Sequence, residues 1–183
     1  MDHDPRTKPS SVTLRRLTAP DAPAFQALRL AALQAAPAAF GASYDEEANF
    51  TLSQVCERIQ ARHDGAPFVY GAFTSAGELG GVCGLYRERG AKAWHVGWIW
   101  TMYVAGRFRR QGVGRQLLDR AIEAARALPE LVQIQLKVGS ENNSARRLYE
   151  SAGFRQIALL PRALRVDGRF VDERVMLLDC HAA

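Results

Sequence analysis

The sequence has no long apolar run and few cysteines, and each shortage excludes a class of protein. A helix that crosses a bilayer needs about 20 apolar residues, and no run of that length occurs in the 183 residues. The first residues, MDHDPRTKPSS, are polar and lack the hydrophobic segment of a signal peptide. The three cysteines, Cys56, Cys83 and Cys180, are odd in number and widely spaced, and the four histidines are scattered. We therefore expect a cytoplasmic protein with reduced thiols, no metal and no membrane partner.

The net charge of the chain is only mildly positive, so it does not by itself identify a binding partner. The 24 lysines and arginines stand against 19 aspartates and glutamates, giving a net charge of +5. Four arginines fall within nine residues, at positions 107, 109, 110 and 115. A basic nucleic-acid-binding module is therefore an alternative interpretation. No aromatic–basic interleaving and no recognition helix accompanies the cluster, so nucleic acid is not the partner that we expect.

Hydrophobic periodicity predicts one α/β domain over residues 11–183, preceded by a flexible tail at residues 1–10. The predicted order is strand, two helices, three strands, helix, strand, helix and two strands. This order makes a mixed sheet of about seven strands flanked by about four helices, with a parallel pair on either side of the helix at 112–128. The segment FGASYDEEANF is predicted as a loop, and glycines 80, 81 and 84 predict close contacts or a bulge. A turn at Asp167-Gly168 joins the last two strands.

A glycine-rich turn after the strand AWHVGWIWTMYV predicts a site for an anion. The turn reads RRQGVG at residues 109–114 and opens the predicted helix. The first N–H groups of a helix have no partner within it, and the helix dipole favours negative charge there. Gly112 and Gly114 leave those groups uncovered, and arginine offers forked hydrogen bonds to phosphate. A Rossmann site would need a third glycine and a Walker loop would need Gly-Lys-Ser/Thr, whereas an ordinary surface turn stays open as an alternative.

Two segments together resemble the GNAT superfamily of N-acetyltransferases. Residues 109–114 match its acetyl-CoA loop, Q/R-x-x-G-x-G/A, and the preceding MYV is similar to the family's strand end. Residues 142–154, NNSARRLYESAGF, are similar to the family's N-x-x-A-x-x-L-Y-x-x-x-G-F segment. Leu14-Arg15 and Ala39-Phe40-Gly41 also resemble many members. The two motifs lie about 28 residues apart with one helix and one strand between them, a spacing that places both in one βαβ unit.

The resemblance implies a GNAT-type acetyltransferase domain that uses acetyl-CoA as co-substrate and no metal. It implies direct attack by a primary amine, carried by a small molecule or a protein, with Tyr149 as general acid to the CoA thiolate. The implied acetyl-CoA contacts are Met102, Tyr103, Val104, Arg109, Arg110, Gln111, Gly112, Val113, Gly114, Arg115 and Asn142. A non-catalytic acyl-CoA sensor, a longer acyl donor and a homodimer formed through the C-terminal hairpin stay open.

The sequence does not identify the general base. Some family members place a glutamate on the strand before the phosphate loop, but no aspartate or glutamate occurs between Lys92 and Gly114. His95 is one candidate, and a water chain to bulk solvent is another. The acidic segment between the first two helices is expected either to attract a cationic amine or to form a solvated loop. It consists of Asp45, Glu46 and Glu47.

Three tryptophans alternate along the predicted strand before the glycine-rich turn. Trp94, Trp98 and Trp100 have the same parity, so they are expected on one face of the sheet. That face either packs on a helix or forms an aromatic wall for the acceptor.

Overall fold

The computed structural model describes residues 12–60 and 66–181, and it places them in one seven-stranded sheet with helices on both faces. The predicted tail at residues 1–10 lies outside the described residues. The strands are β1 (Thr13–Arg16), β2 (Phe68–Phe73), β3 (Leu79–Arg87), β4 (Val96–Val104), β5 (Gln133–Gly139), β6 (Arg155–Val166) and β7 (Arg169–Asp179). The helices are α1 (Ala22–Ala35), α2 (Tyr44–Ala48), α3 (Leu52–Ile59), α4 (Val113–Arg126) and α5 (Asn143–Ser151). The predicted mixed α/β sheet is confirmed.

The sheet has the order β1-β2-β3-β4-β5-β7-β6. All neighbouring strands are antiparallel except β4 and β5, which are parallel and connected through α4. The predicted parallel pair is therefore confirmed. Because parallel strands share a direction, the ends of β4 and β5 and the start of α4 lie at one edge of the sheet.

Each face of the sheet has its own hydrophobic core. On one face α4 packs its predicted stripe, including the fully buried Leu117 and Leu118, against β2, β3 and β4. On the other face α1 and α3 bury Phe25 and Ile59 against β2 and β3. No helix within residues 12–60 and 66–181 is long and apolar enough to span a membrane.

The glycines of β3 accommodate large side chains, and the same strand carries a bulge. A Cβ on Gly84 would lie 2.5 Å from Nε1 of Trp100, so only glycine leaves room for that indole. The register between β3 and β4 shifts so that Thr101 and Met102 stand opposite the single residue Cys83. Thr101 has a φ of 50°, in the left-handed region. This extra residue lies on β4 and disrupts the ladder at this point. The bulge of β3 itself is at Gly80, the extra residue opposite Ala72 and Phe73 of β2, so both the predicted close contacts and the predicted bulge are present.

One predicted loop contains a helix. The short helix α2 lies within FGASYDEEANF, and five α-helices stand where about four were predicted. Ser43 caps α2: its Oγ accepts from the N–H of Glu46 at 3.3 Å, and Glu46 accepts from the N–H of Ser43 at 2.7 Å. This reciprocal capping satisfies N–H groups that a loop would leave to water, which is why the loop prediction is wrong here. The predicted turn at Asp167-Gly168 does join β6 and β7, with φ of 48° and 79°.

Candidate active site

A cleft opens at the sheet edge because the parallel strands β4 and β5 separate part-way along. Their pairing covers only residues 96–98 of β4 and 133–135 of β5, although β4 continues to Val104 and β5 to Gly139. The space beyond is a cavity of about 540 Å³. Its lining comes from the end of β4, from β5, from the first turn of α4 and from α5. We call this cavity the first cleft.

The loop before α4 presents uncapped backbone to the first cleft. Gly112 occupies the N-cap position with a φ of 78°, and no side chain caps the helix. Arg110 is also left-handed, with a φ of 60°, and such turns direct successive N–H groups towards one concave side. A Cβ on Gly114 would lie 3.4 Å from Cε of Met102 and 3.6 Å from Cδ2 of Leu148. The start of α4 thus offers unpaired N–H groups and the positive end of the helix dipole.

Most of the predicted acetyl-CoA contacts line the first cleft, and two do not. The lining includes Met102, Tyr103, Val104, Arg109, Arg110, Gly112, Val113, Gly114 and Asn142. Gln111 instead donates from Nε2 to the carbonyl of Arg107 at 2.7 Å. Arg115 bonds to Asp119 at 2.8 Å and to the carbonyl of Ser151 at 3.1 Å. The positive side chains of this loop that reach the cleft are therefore Arg109 and Arg110.

These two arginines differ in how firmly the fold holds them. Arg109 donates from Nε to the carbonyl of Val104 at 2.8 Å, and its guanidinium lies 5.5 Å from the ring centre of Tyr103. It therefore fixes the loop to the end of β4. Arg110 is exposed and forms no hydrogen bond or ion pair with another described residue. Its side chain is free to turn towards an anion.

Helix α5 brings Asn142 and Tyr149 to the first cleft. Asn142 is the N-cap residue, and its Oδ1 accepts from the N–H of Ala145 at 3.1 Å, which leaves its amide nitrogen for a ligand. Tyr149 is only 6% exposed and packs edge-on against Phe154. Burial, and secondarily the nearby Cys83, raises the pKa of Tyr149 above its ordinary value. The phenol is therefore protonated at neutral pH.

A second cleft, of about 650 Å³, lies on the α1 face of the sheet and meets the first. Met102, Lys137 and Tyr149 line both clefts. Phe40, in the segment after α1, also lines both, and Trp98 and Trp100 line the second cleft only. Ligands that occupy the two clefts would meet beside Tyr149.

A profile of the Acetyltransferase (GNAT) family matches residues 28–154, which contain the glycine-rich loop and the whole of α5. The chain belongs to the GNAT family of acetyltransferases. The predicted family resemblance is therefore confirmed. No curated protein sequence matches the chain significantly.

Solved GNAT structures share the fold of this acetyltransferase over nearly its full length. A GNAT-family acetyltransferase from Streptococcus pneumoniae has 22% identity, covers 92% of this chain and 99% of its own, and gives a TM-score of 0.81. A GCN5-related N-acetyltransferase from Kribbella flavida has 25% identity over 94% of this chain and 99% of its own, with a TM-score of 0.76. A protein from Salmonella typhimurium, solved with its cofactor acetyl-CoA, has 25% identity over 95% and 98%, with a TM-score of 0.77.

The acidic segment of this acetyltransferase does not face the acceptor as expected. Glu47 is 1% exposed, and Arg29 donates from Nε and Nη2 to its two carboxylate oxygens at 2.9 Å. Arg58 adds a third bond at 3.0 Å. Burial raises the pKa of Glu47, but the hydrogen bonds from the two arginines outweigh burial and the net pKa is lowered. The expected attraction of an amine is wrong for Glu47, because its charge is neutralised inside the fold. Asp45 and Glu46 are exposed on α2 and line neither cleft.

His95 and Trp94 also lie away from both clefts. The strand β4 begins only at Val96, and the N–H groups of Ala93 and Val96 bond to carbonyls three residues earlier, which makes a turn there. His95 is exposed in this turn and lines neither cleft. Trp94 packs against the guanidinium of Arg87 at 4.3 Å. The prediction that three tryptophans share one strand face is therefore wrong for Trp94.

Several residues of the second cleft were not indicated by the sequence. Glu88, Lys137 and Glu173 line it, together with the apolar Leu160 and Leu164. These residues come from the end of β3, from β5 and from the β6–β7 hairpin, so no local motif connects them. Across residues 12–60 and 66–181, no group of three His, Cys, Asp or Glu side chains is arranged to hold a metal.

Proposed function

We propose that this GNAT protein transfers an acetyl group from acetyl-CoA to a primary amine. The observation that carries the proposal is the meeting of two clefts at Tyr149, one of which begins at the uncapped start of α4. A helix start of this kind suits a diphosphate, and the second cleft leaves space for an acceptor. The family membership and the acetyl-CoA bound to the Salmonella protein support the choice of donor.

The chain's own backbone supplies the proposed donor site. The N–H groups of Val113 and Gly114 bind diphosphate oxygens, and Arg110 adds a charge-assisted hydrogen bond. Residues 102–104 of β4 lack partners on β5 because the strands have separated. Apart from the Val104 carbonyl, which Arg109 occupies, their backbone is therefore available to the pantetheine arm, and the amide nitrogen of Asn142 is a further donor.

Tyr149 is the proposed general acid. It is protonated, buried and common to both clefts, so it can donate its proton to the departing sulfur and recover one from the amine. The thiol of Cys83 does not offer a covalent route, because burial raises its pKa to about 12 and a thiol that stays protonated is a poor nucleophile. Direct attack by the amine follows.

Thermal unfolding with increasing acetyl-CoA tests the donor site. At a ligand concentration of 100 Kd, mass action contributes about 2.7 kcal/mol, which raises Tm by roughly 5–11 °C for a chain of this size. Gly114→Val should abolish this shift relative to its own unliganded Tm, since the added methyls enter the space beside Met102 and Leu148. Gly114→Ala is the matched control and should keep the shift, because its Cβ makes only ordinary contacts, the nearest at 3.4 Å. An unchanged Tm at saturating acetyl-CoA would refute the proposed site.

Release of the CoA thiol during incubation with a panel of amines tests the transfer itself. We expect release with at least one primary amine, and Tyr149→Phe should lower kcat by about 10²-fold, which is the contribution typical of a positioned acid. The same variant should retain the acetyl-CoA shift in Tm, because the phenol acts at the sulfur and not at the diphosphate. A Tyr149→Phe variant with unaltered kcat would remove the phenol from the mechanism.

A further inference from the structure

Glu173 is a largely buried residue whose carboxylate reaches the second cleft and has no partner within residues 12–60 and 66–181. Only 8% of the residue is exposed, and the side chain lines the second cleft. No hydrogen bond or ion pair joins its carboxylate to another residue within 12–60 or 66–181, in contrast to Glu47 with its two arginines. The adjacent Arg174 projects to the opposite face of β7 and bonds to Gln156 at 2.7 Å. Because a charge with little access to water is unfavourable unless it is paired, the unpartnered Glu173 in the wall of this cleft is suited to a cation that arrives with a ligand.

The strands around Glu173 keep it open to the second cleft. On one side it stands opposite Gly139 of β5, which has no side chain to cover it. On the other side it stands opposite Leu160 of β6, and the register then shifts before Leu164. The bulge is held by Asp172, which accepts from the N–H of Arg162 at 2.7 Å. On the β5 side, therefore, no facing side chain covers the carboxylate.

The walls of the second cleft indicate what kind of molecule carries the cation. Trp98 and Trp100 line it from β4, and Leu160 and Leu164 line it from β6. A volume of about 650 Å³ falls within the range of about 300–1,000 Å³ that is usual for small-molecule sites. A compact apolar body with one cationic group matches this lining.

Among the described residues, Glu88 is the other carboxylate that lines this cleft, together with further charged and titratable groups. These groups are Arg29 from α1, Tyr86 from the end of β3, Lys137 from β5 and Tyr149 from α5. Arg29 is paired with Glu47, which it shares with Arg58. Glu88 also lines a separate surface pocket with Arg58 and Arg89 and lies nearer the outside. Glu173 shares its cleft with Tyr149 and Lys137, which also line the donor cleft.

We propose that Glu173 binds the ammonium group of a small apolar primary amine in the second cleft and accepts its proton. This assignment rests on the proposed acetyl transfer. Glu173 takes one proton from the ammonium and passes it to water, and the neutral amine attacks the acetyl carbon. The new C–N bond forms as the C–S bond breaks, and the second amine proton replaces the one that Tyr149 gives to the sulfur. One acetylated amine, one CoA thiol and one free proton result.

The variant Glu173→Gln tests the assignment with 2-phenylethylamine as acceptor. We expect kcat/KM at pH 7 to fall by about 10²-fold or more. In the wild type kcat/KM should reach a plateau below the pKa of the free amine. In the variant it should keep rising by about tenfold per pH unit towards that pKa, because only the neutral amine then reacts. Glu173→Asp keeps the charge and should restore the plateau. A kcat/KM within about threefold of wild type, with the plateau intact, would overturn the proposal.

Two controls separate this proposal from the proposed function and from misfolding. The acetyl-CoA shift in Tm should be the same in Glu173→Gln as in the wild type, so a missing shift in both proteins would count against the donor site instead. Glu123→Gln, on the exposed side of α4, should leave kcat/KM unchanged. The unliganded Tm of Glu173→Gln should equal or exceed that of the wild type, because the carboxylate has no partner within residues 12–60 and 66–181 that the amide would lose. A lower Tm would show that Glu173 stabilises the fold and would contradict the assignment.

The choice of acceptor has its own test. Ethanolamine has the same ammonium group without an apolar body, and a lysine-containing peptide has the ammonium on a polar chain. Both should show kcat/KM values at least tenfold below that of 2-phenylethylamine, since roughly 1.4 kcal/mol of apolar contact is enough for that ratio. A kcat/KM for the peptide that equals or exceeds the value for 2-phenylethylamine would overturn the small-molecule assignment.

Discussion

Replacement of Glu47 by glutamine should destabilise the fold strongly, although the change is nearly isosteric. The Glu47 side chain is 2% exposed and its partner Arg29 is 5% exposed, so neither group can find water when the pair is broken. The amide keeps one oxygen as an acceptor but loses the negative charge that pairs with two guanidinium groups. Arg29, held within α1, would then remain as a buried cation without a counterion.

The magnitude follows from the burial of this pair. Removing one partner of a buried ion pair costs about 3–5 kcal/mol, and glutamine should lie near the lower end because it keeps the volume and one hydrogen bond. For a chain of this size each kcal/mol changes Tm by about 2–4 °C. The expected fall in Tm for Glu47→Gln is therefore about 6–12 °C.

Urea unfolding of Glu47→Gln beside Asp45→Asn provides the measurement. Asp45 lies on the same short helix and is exposed, so its replacement should change the free energy of unfolding by no more than about 0.5 kcal/mol. The amine KM should rise in Glu47→Gln only, since Arg29 lies 4.7 Å from the ring centre of Phe40 and Arg58 lies 5.1 Å from that of Trp100. Equal stabilities for the two variants would refute the claim that the charge of Glu47 is structural.

Two further predictions concern arginine contacts. The guanidinium of Arg15 holds the pKa of Asp21 at about 2, below its ordinary 3.8, so this stabilisation is present above about pH 4 and is lost as the pH falls towards 2. Arg15 is half-exposed, and Asp21→Asn should therefore remove only about 1–2 kcal/mol at pH 7, and the free energy of unfolding of the variant should fall less than that of the wild type as the pH is lowered from about 4 to 2. Arg110→Ala should raise the Kd of acetyl-CoA by roughly tenfold, measured by calorimetry, whereas Arg107→Ala should leave it unchanged because Arg107 pairs with Glu78 outside the cleft.

The convergence of the glycine-rich loop and α5 on the first cleft could be predicted because its requirements are local. A left-handed residue at the N-cap and bare N–H groups at a helix start select glycine at 112 and 114, and the helix stripe follows at once in the sequence. Asn142 and Tyr149 likewise belong to one helix and its cap. Such features depend on residues that lie within a few positions of one another in the sequence, so the spacing of residue types is enough to predict them.

Helix α2 shows where local patterns stop being sufficient. Ser43 and Glu46 form a capping box at the start of α2, as Thr51 and Gln54 do at the start of α3. In the sequence, however, a recognisable apolar stripe follows only the capping box of α3. A helix of five residues cannot be stable by its own hydrogen bonds. It is anchored through Glu47 to Arg29 of α1, a contact across 18 positions, and no period within the segment predicts that contact.

The lining of the second cleft depends on strand parity within the complete sheet. In the sequence Glu173 is followed by Arg174, which suggests a carboxylate with a counterion beside it. Successive side chains of a strand point to opposite faces, so pairing β7 between β5 and β6 sends Arg174 to one face and Glu173 to the other. Which face carries the cleft is decided by where α1 and α4 pack, and those helices lie more than 40 positions away from β7. A glutamate that is buried among apolar side chains and separated from its neighbouring arginine can therefore be recognised only after the whole sheet has been assembled.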